Sequence, residues 1–277
     1  MAPIILYDVA CDLAERSMSP NVAKIRYSLN FKGLAFETVW VDLSELEELY
    51  KKFGAKPTAA SGPAQHTVPF IHDTTNDIAV SNSLDIALYL DGAYPDAPRV
   101  IPAGTFALHA TLSDAYSAAV SGPLAAFNFP AGFPHLRLPS QEYFARSGRA
   151  PPPIALNGDE EKAAEVWATV KKGLDQFNGY MVAAGSKYFC GDELSYADFI
   201  LAGPLRWAKL VLSGDQWAEI SSWNGGRWGR LLEELGKYDG IAELEEHAAH
   251  MAVTDVYIRR ATPLLSGTGW FHSGSDY

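Results

Sequence analysis

The first segment whose residue types could do chemistry is 17–29, which reads SMSPNVAKIRYSL. The Ser19 hydroxyl stands directly before Pro20, ahead of a stretch with apolar residues at helical spacing. Serine is a frequent N-cap because its side-chain oxygen accepts a hydrogen bond from a free backbone N–H, and proline fits the first helical position. The pattern predicts a helix that begins at Pro20, and a capping role alone would account for the hydroxyl.

Composition excludes several classes of protein. The chain has 277 residues, 48% of them hydrophobic, and a formal net charge of -11. The acidic balance and the lack of a basic stripe argue against a nucleic-acid partner, and no apolar run approaches the roughly 20 residues that span a bilayer. The N-terminus has no basic n-region of a signal peptide. Cys11 and Cys190 give neither a disulfide framework nor metal-ligand spacing, so we expect a protein of the reducing cytoplasm.

The elements that must position Ser19 alternate in type in the first third of the chain. Apolar runs and turn signals predict a first strand at 4–9, a helix at 20–31, a turn at Gly33 and a second strand at 35–43. They then predict a polar helix at 45–53, a loop at 54–66, a third strand at 67–73, its short hairpin partner at 77–80 and a helix from Ser83. This pattern indicates an α/β module over residues 1–98.

From residue 104 onward the pattern turns to long helices. Helical periodicity predicts them at 105–121, 159–184, 196–213, 227–238 and 241–261. A segment at 128–158 is rich in proline and aromatic residues and is too long to be only a connecting loop. An irregular extension is predicted after residue 263. The sequence therefore predicts a second, all-helical domain over residues 104–277.

Several landmarks in this order resemble the glutathione transferase superfamily. They are the Ser-Pro start of the first helix, Val68-Pro69 at the third strand, Ser83 at the next helix start, and SYADF at 195–199, in which Ser195 and Asp198 form a capping box. The segments SLDIALYLDGAYP and LPSQEYFARSGR bring the chain closer to fungal class A transferases and bacterial β-aryl etherases. The resemblance implies a thioredoxin-like N-terminal domain followed by a helical domain.

The resemblance gives the Ser19 hydroxyl a second role. In such enzymes glutathione is the co-substrate and its thiol reacts as a thiolate, which a helix N-terminus and a donated hydrogen bond favour. Ser19 and Pro20 are thus expected at the glutathione sulfur, with Ser19 as the catalytic residue. Serine in place of cysteine favours attack of the bound thiolate on an electrophile over thiol-disulfide exchange.

The same resemblance implies further glutathione contacts. A cis bond between Val68 and Pro69 would expose the Val68 backbone to pair with the cysteinyl backbone, and Ser83 would bind the γ-glutamyl carboxylate. Asn82 stands where most relatives carry a carboxylate that pairs with the γ-glutamyl amino group, which predicts weaker binding. Glycyl carboxylate contacts are expected from Lys56 or His66.

The electrophile should lie against the helical domain. An aromatic wall, suited to flat phenolic compounds such as lignin fragments or wood extractives, is predicted from Tyr116, Phe127, Phe129, Tyr143 and Trp207. Burial in an ordinary core is the competing interpretation for each of these residues.

Other functions stay open at this stage. The first alternative is a ligandin that binds aromatic metabolites without turnover, and another is glutathione-dependent peroxide reduction. His247 and His250 lie three residues apart without an HExxH pattern, so no metal is expected. By family resemblance the protein is expected to be a homodimer with no nucleic-acid or membrane partner.

Overall fold

The computed structural model describes residues 3–61, 65–146, 156 and 158–241. Within them, an α/β region precedes a helical one. The α/β region consists of β1 Ile4–Val9, α1 Pro20–Lys32, β2 Phe36–Val41, α2 Leu46–Phe53, β3 Phe70–Asp73, β4 Ile78–Ser81 and α3 Ser83–Ala93. The helical region consists of α4 Phe106–Tyr116, α5 Gly122–Gly132, α6 Leu138–Arg146, α7 Glu160–Ala184, α8 Tyr196–Val211 and α9 Gly214–Leu235.

The four strands form one mixed sheet with the order β2-β1-β3-β4. β1 runs parallel to β2, with Leu6 opposite Thr38, and antiparallel to β3, with Leu6 opposite Ile71. All of β1 is buried, as expected for an apolar central strand. The predicted fold class, an α/β region followed by helices, is confirmed.

The start of α1 is held close to the helical region. A Cβ atom on Gly203 of α8 would lie 2.4 Å from the carbonyl oxygen of Pro20, so only glycine allows this approach. At its other end α1 stops at Gly33, whose φ of 66° is left-handed and favours glycine. The close approach of α8 at Gly203 therefore holds the first turn of α1 against the helical region.

The prediction for residues 105–158 was wrong in two respects. The single helix expected at 105–121 ends at Tyr116, and a π-helical turn at Ser117–Ser121 leads directly into α5. Over its described residues 128–146, the connector expected from residue 128 is largely helical, because α5 continues to Gly132 and α6 follows it. Tertiary packing of the phenylalanines of these helices outweighs the proline-rich composition.

The prediction near Ser213 also needs correction. Ser213 was expected to end a helix, but its Oγ accepts a hydrogen bond from the Gln216 N–H and caps the start of α9. α9 thus begins well before residue 227, and its backbone breaks at 223–226, where Asn224 and the two following glycines have positive φ. The helix predicted at 241–261 and the extension after 263 lie outside the described residues, apart from the first residue of that helix.

Candidate functional site

Ser19 both caps α1 and faces a cavity. Its Oγ accepts a hydrogen bond from the Val22 N–H at 3.3 Å, which is the predicted N-cap contact. A hydroxyl that accepts one hydrogen bond keeps its own proton as a donor, and no described residue accepts from it. The hydroxyl is therefore available to a cavity ligand at the positive end of the helix dipole.

A buried ionic cluster fixes the segment that leads into Ser19. The Asp8 Oδ2 atom accepts hydrogen bonds from the Ser17 hydroxyl at 2.6 Å and from Arg26 Nη2 at 2.8 Å. Arg26 Nη1 also donates to Ser17 Oγ at 2.9 Å, and all three residues are fully buried. Because this cluster ties β1, the loop and α1 together, Ser17 has a structural role and Ser19 is the serine at the cavity.

A second arginine ties the same loop to α8. Arg206 Nη1 donates to the Ser17 carbonyl oxygen at 2.8 Å, and its Nε donates to both carboxylate oxygens of Asp239 at 2.8 and 2.7 Å. The backbone just before Ser19 is thus held from both regions of the chain.

The cavity beside Ser19 has a volume of about 280 Å³. Most of its lining is apolar, and polar atoms are few. The lining residues are Val9, Met18, Ser19, Pro20, Asn21, Leu43, Thr67, Val68, Phe129, Gly132, Phe133, Leu136, Phe144 and Trp207. An apolar cavity with one hydroxyl at a helix N-terminus suits a ligand with a small anionic group and a hydrophobic body.

Three aromatic rings, from α5, from α6 and from the 3-10 turn between them, form one wall of this cavity. The Phe144 ring centroid lies 5.4 Å from that of Phe129 and 5.9 Å from that of Phe133. Ser140 holds α6 in place, since its Oγ donates to Asp42 Oδ1 at 2.8 Å and accepts from the Leu43 N–H at 3.0 Å. α6 is therefore fastened to the loop after β2 at the edge of the cavity.

Val68 borders the same cavity. The Val68-Pro69 peptide bond is cis, and Val68 and Thr67 line the cavity. The Tyr50 hydroxyl donates to the Thr67 carbonyl oxygen at 2.8 Å. No described residue hydrogen-bonds the backbone N–H or carbonyl oxygen of Val68, so both groups are available to an extended ligand.

The other residues predicted to contact glutathione lie outside this lining, as does Pro69. Asn82 has a positive φ of 69° and caps α3, with its Oδ1 accepting from the Leu84 N–H at 3.0 Å. Ser83 is the first residue of α3. Lys56 is exposed, and the His66 ring packs edge-on against Tyr50 with centroids 4.9 Å apart.

The five predicted aromatic residues are divided among different places. Phe129 and Trp207 line the cavity with Ser19. Tyr116 is buried, donates to the Leu201 carbonyl oxygen at 3.0 Å and borders a second cavity. Phe127 packs edge-on against the ring of Trp167 at 4.9 Å. Tyr143, on α6, is half-buried against the core.

Sequence reasoning missed several lining residues. Met18 directly precedes Ser19, so its position beside the helix start was the available signal. Phe133 and Leu136 belong to the proline-rich insertion for which no helix was predicted, and they reach the cavity because α5 and α6 fold back over it.

Both regions of the chain match known protein families. A model of the glutathione S-transferase N-terminal domain matches residues 13–98, and a model of the C-terminal domain matches residues 107–238. A glutathione S-transferase of Ceriporiopsis subvermispora, solved in complex with glutathione, is 34% identical with a TM-score of 0.79, covering 87% of this chain and 99% of that one. The chain belongs to the glutathione S-transferase family.

Two further relatives are fungal. Glutathione transferase GSTFuA3 from Phanerochaete chrysosporium is 30% identical with a TM-score of 0.75, covering 86% of this chain and 98% of that chain. The glutathione S-transferase-like protein ustS of Aspergillus flavus is 25% identical, and the match covers 89% of this chain and 95% of that protein.

The described part of the chain contains neither a candidate metal cluster nor a candidate membrane-spanning helix. Its His, Cys, Asp and Glu side chains form no group of three or more that could hold a metal ion. None of its helices is both long and apolar enough to cross a bilayer.

Proposed function

We propose that this chain is a serine-type glutathione transferase, in which Ser19 stabilises the glutathione thiolate for attack on an aromatic electrophile. The observation that carries the proposal is that the Ser19 hydroxyl lines an apolar cavity while its oxygen caps α1. The reaction class rests on this arrangement together with membership of the family.

The groups at the site fit glutathione in two respects. A thiol with a pKa of about 8.5 is mostly protonated at neutral pH, and a helix N-terminus with a donating hydroxyl favours the anion. The available N–H and carbonyl oxygen of Val68 offer the pair of hydrogen bonds that an extended peptide makes with a strand edge. In support, two fungal relatives with 34% and 31% identity were solved in complex with glutathione.

The remaining contacts are assigned with the same proposal. The N-terminus of α3 at Ser83 would bind the γ-glutamyl carboxylate, with Asn82 beside it as a neutral acceptor. Lys56 or His66 would meet the glycyl carboxylate. Because the Asn82 Oδ1 already accepts from the Leu84 N–H, we expect it to contribute little to binding the γ-glutamyl amino group.

In the chemical step the thiolate sulfur forms a bond with an electrophilic carbon. In a displacement, the bond to the leaving group breaks and its electron pair departs with that group; in an addition, the electron pair moves into the acceptor, which then takes a proton from water. Both reactions give a glutathione thioether. The rings of Phe129, Phe144 and Trp207 around Ser19 favour a flat aromatic electrophile, such as a lignin-derived aryl ether or a wood extractive.

The test is the ultraviolet absorbance of glutathione thiolate on the protein, titrated with pH for the wild type and for Ser19→Ala. We expect a depressed thiol pKa in the wild type and a rise of about one unit or more in Ser19→Ala, since one pKa unit corresponds to about 1.4 kcal/mol of thiolate stabilisation. Conjugation of an aromatic electrophile should fall at least about tenfold.

Ser213→Ala is the matched control, because Ser213 caps α9 as Ser19 caps α1 but does not line the cavity. It should lose stability without changing the thiolate signal. Absence of thiolate in the wild type at saturating glutathione would refute the mechanism and favour the ligandin alternative. Homodimer formation and a cytoplasmic location, which the family resemblance implies, stay predictions.

A further inference from the structure

A second cavity neighbours the one beside Ser19 and shares Trp207 with it. Its volume is about 330 Å³, and it is bounded by α1, α4, the π-helical turn with the start of α5, and α8. Its lining residues are Pro20, Asn21, Lys24, Ser113, Tyr116, Ser117, Ser121, Gly122, Ala125, Ile200, Pro204 and Trp207. It shares Pro20, Asn21 and Trp207 with the first cavity, and Ser19 is absent from its lining.

Lys24 is the charged residue in this lining, and it is 8% exposed. Its Nζ donates to the Asn21 Oδ1 atom at 2.8 Å, and no described residue forms an ion pair with it. Burial lowers the pKa of the Lys24 ammonium to about 8, so the group is still mostly charged at neutral pH. An ammonium has three N–H donors, and the described residues use one of them.

The surroundings of Lys24 are neutral on every side. α4 and the π-helical turn contribute Ser113, Tyr116 and Ser117, and α8 contributes Ile200, Pro204 and Trp207. A buried cation without a counter-charge is unfavourable, and an anionic ligand would remove that cost. The cavity therefore combines one uncompensated positive charge, several hydroxyls and aromatic rings.

We propose that this second cavity binds a small aromatic carboxylate, with the carboxylate on Lys24 Nζ and the ring against Trp207 and Tyr116. A single ammonium matches one negative charge, whereas a phosphate dianion would require more positive charge than the lining offers. The serine hydroxyls of α4 and the π-helical turn can donate to the second carboxylate oxygen. Ser19 is not part of this site, and binding here does not depend on the function proposed above.

The experiment is calorimetric titration of the full chain with benzoate, and with benzamide as a neutral molecule of the same shape. We expect benzoate to bind the wild type at least about tenfold more tightly than benzamide does, because only the anion pairs with Lys24. Lys24→Met should weaken benzoate binding at least about tenfold. The matched control is Lys209→Met on the exposed face of α8, which should leave the affinity unchanged.

Two other variants separate this site from the first cavity and from loss of folding. Ser19→Ala should retain benzoate binding, because Ser19 does not line the second cavity. Ala125→Leu keeps the charge but fills the cavity, so it should weaken binding as Lys24→Met does. The proposal is overturned if benzoate and benzamide bind equally, if the wild type does not bind benzoate, or if Lys24→Met binds it as well as the wild type.

Discussion

Replacing Lys24 with methionine should stabilise the protein at neutral pH. Methionine has nearly the length of the lysine stem and fills the same space between α1 and α8, where Gly203 leaves room beside the Lys24 Cε atom. The substitution removes a buried ammonium that no described carboxylate compensates. The free energy of unfolding should therefore rise by the cost of desolvating that charge.

The magnitude and its pH dependence follow from the pKa of Lys24. Burial lowers this pKa from 10.5 in the unfolded chain to about 8 in the folded protein. Below about pH 8 both states are protonated and the full cost of burial is present, amounting to about 3 kcal/mol. Between the two pKa values the unfolded chain binds more protons, so the stability of the wild type rises with pH.

The assay is urea unfolding of the wild type and Lys24→Met at about pH 7 and pH 10. At pH 7 we expect the free energy of unfolding of Lys24→Met to exceed that of the wild type by about 2 to 3 kcal/mol. At pH 10 this difference in free energy should be smaller by roughly 2 kcal/mol. Other groups titrate in both proteins, so their contributions cancel in the difference between the two free energies of unfolding. Lys209→Met, on the surface, should show no such narrowing. A difference that is the same at both pH values would refute the reasoning.

Two further substitutions test the supports of the site. Arg26→Met leaves Asp8 buried without its charged partner and should lower the free energy of unfolding, measured in urea, by about 3 to 5 kcal/mol. Adding Asp8→Asn should recover part of this loss. A loss below about 1 kcal/mol would contradict a buried ion pair. Ser140→Ala removes both hydrogen bonds that fasten α6, so KM for an aromatic electrophile should rise severalfold while KM for glutathione stays constant; equal changes in both would show that α6 does not serve the electrophile.

The parts of the fold that the sequence predicts well are those with local signals. β1 was predicted at its observed bounds, and α1 begins at Pro20 as expected, because a short apolar run and a Ser-Pro cap are decided within a few residues. The Gly33 turn and the start of α3 at Ser83 were also predicted from a few neighbouring residues. Ser19 was found for this reason, since its place in the chain defines its place in the fold.

The parts that could not be predicted depend on distant contacts. α5 follows a π-helical turn with no capping side chain, and Pro123 in its first turn is a local signal that does not by itself separate α5 from the helix before it. α6 lies against the loop after β2 through Ser140, a contact across 98 residues. The break in α9 at 223–226 has glycines as a signal, but the bond from Asn224 Nδ2 to Asp175 Oδ1 that holds it is also long-range.

Lys24 is the clearest case of a residue whose role the sequence hides. On a helical wheel it is an ordinary polar residue of α1, and only the close approach of α8 at Gly203 and Pro204 encloses it. The same approach makes Pro20 and Asn21 a common wall of both cavities. A carboxylate held on Lys24 would place negative charge beside the first turn of α1, the element expected to favour the thiolate. Because like charges at one helix N-terminus oppose each other, a ligand in the second cavity should raise the pKa of glutathione bound in the first.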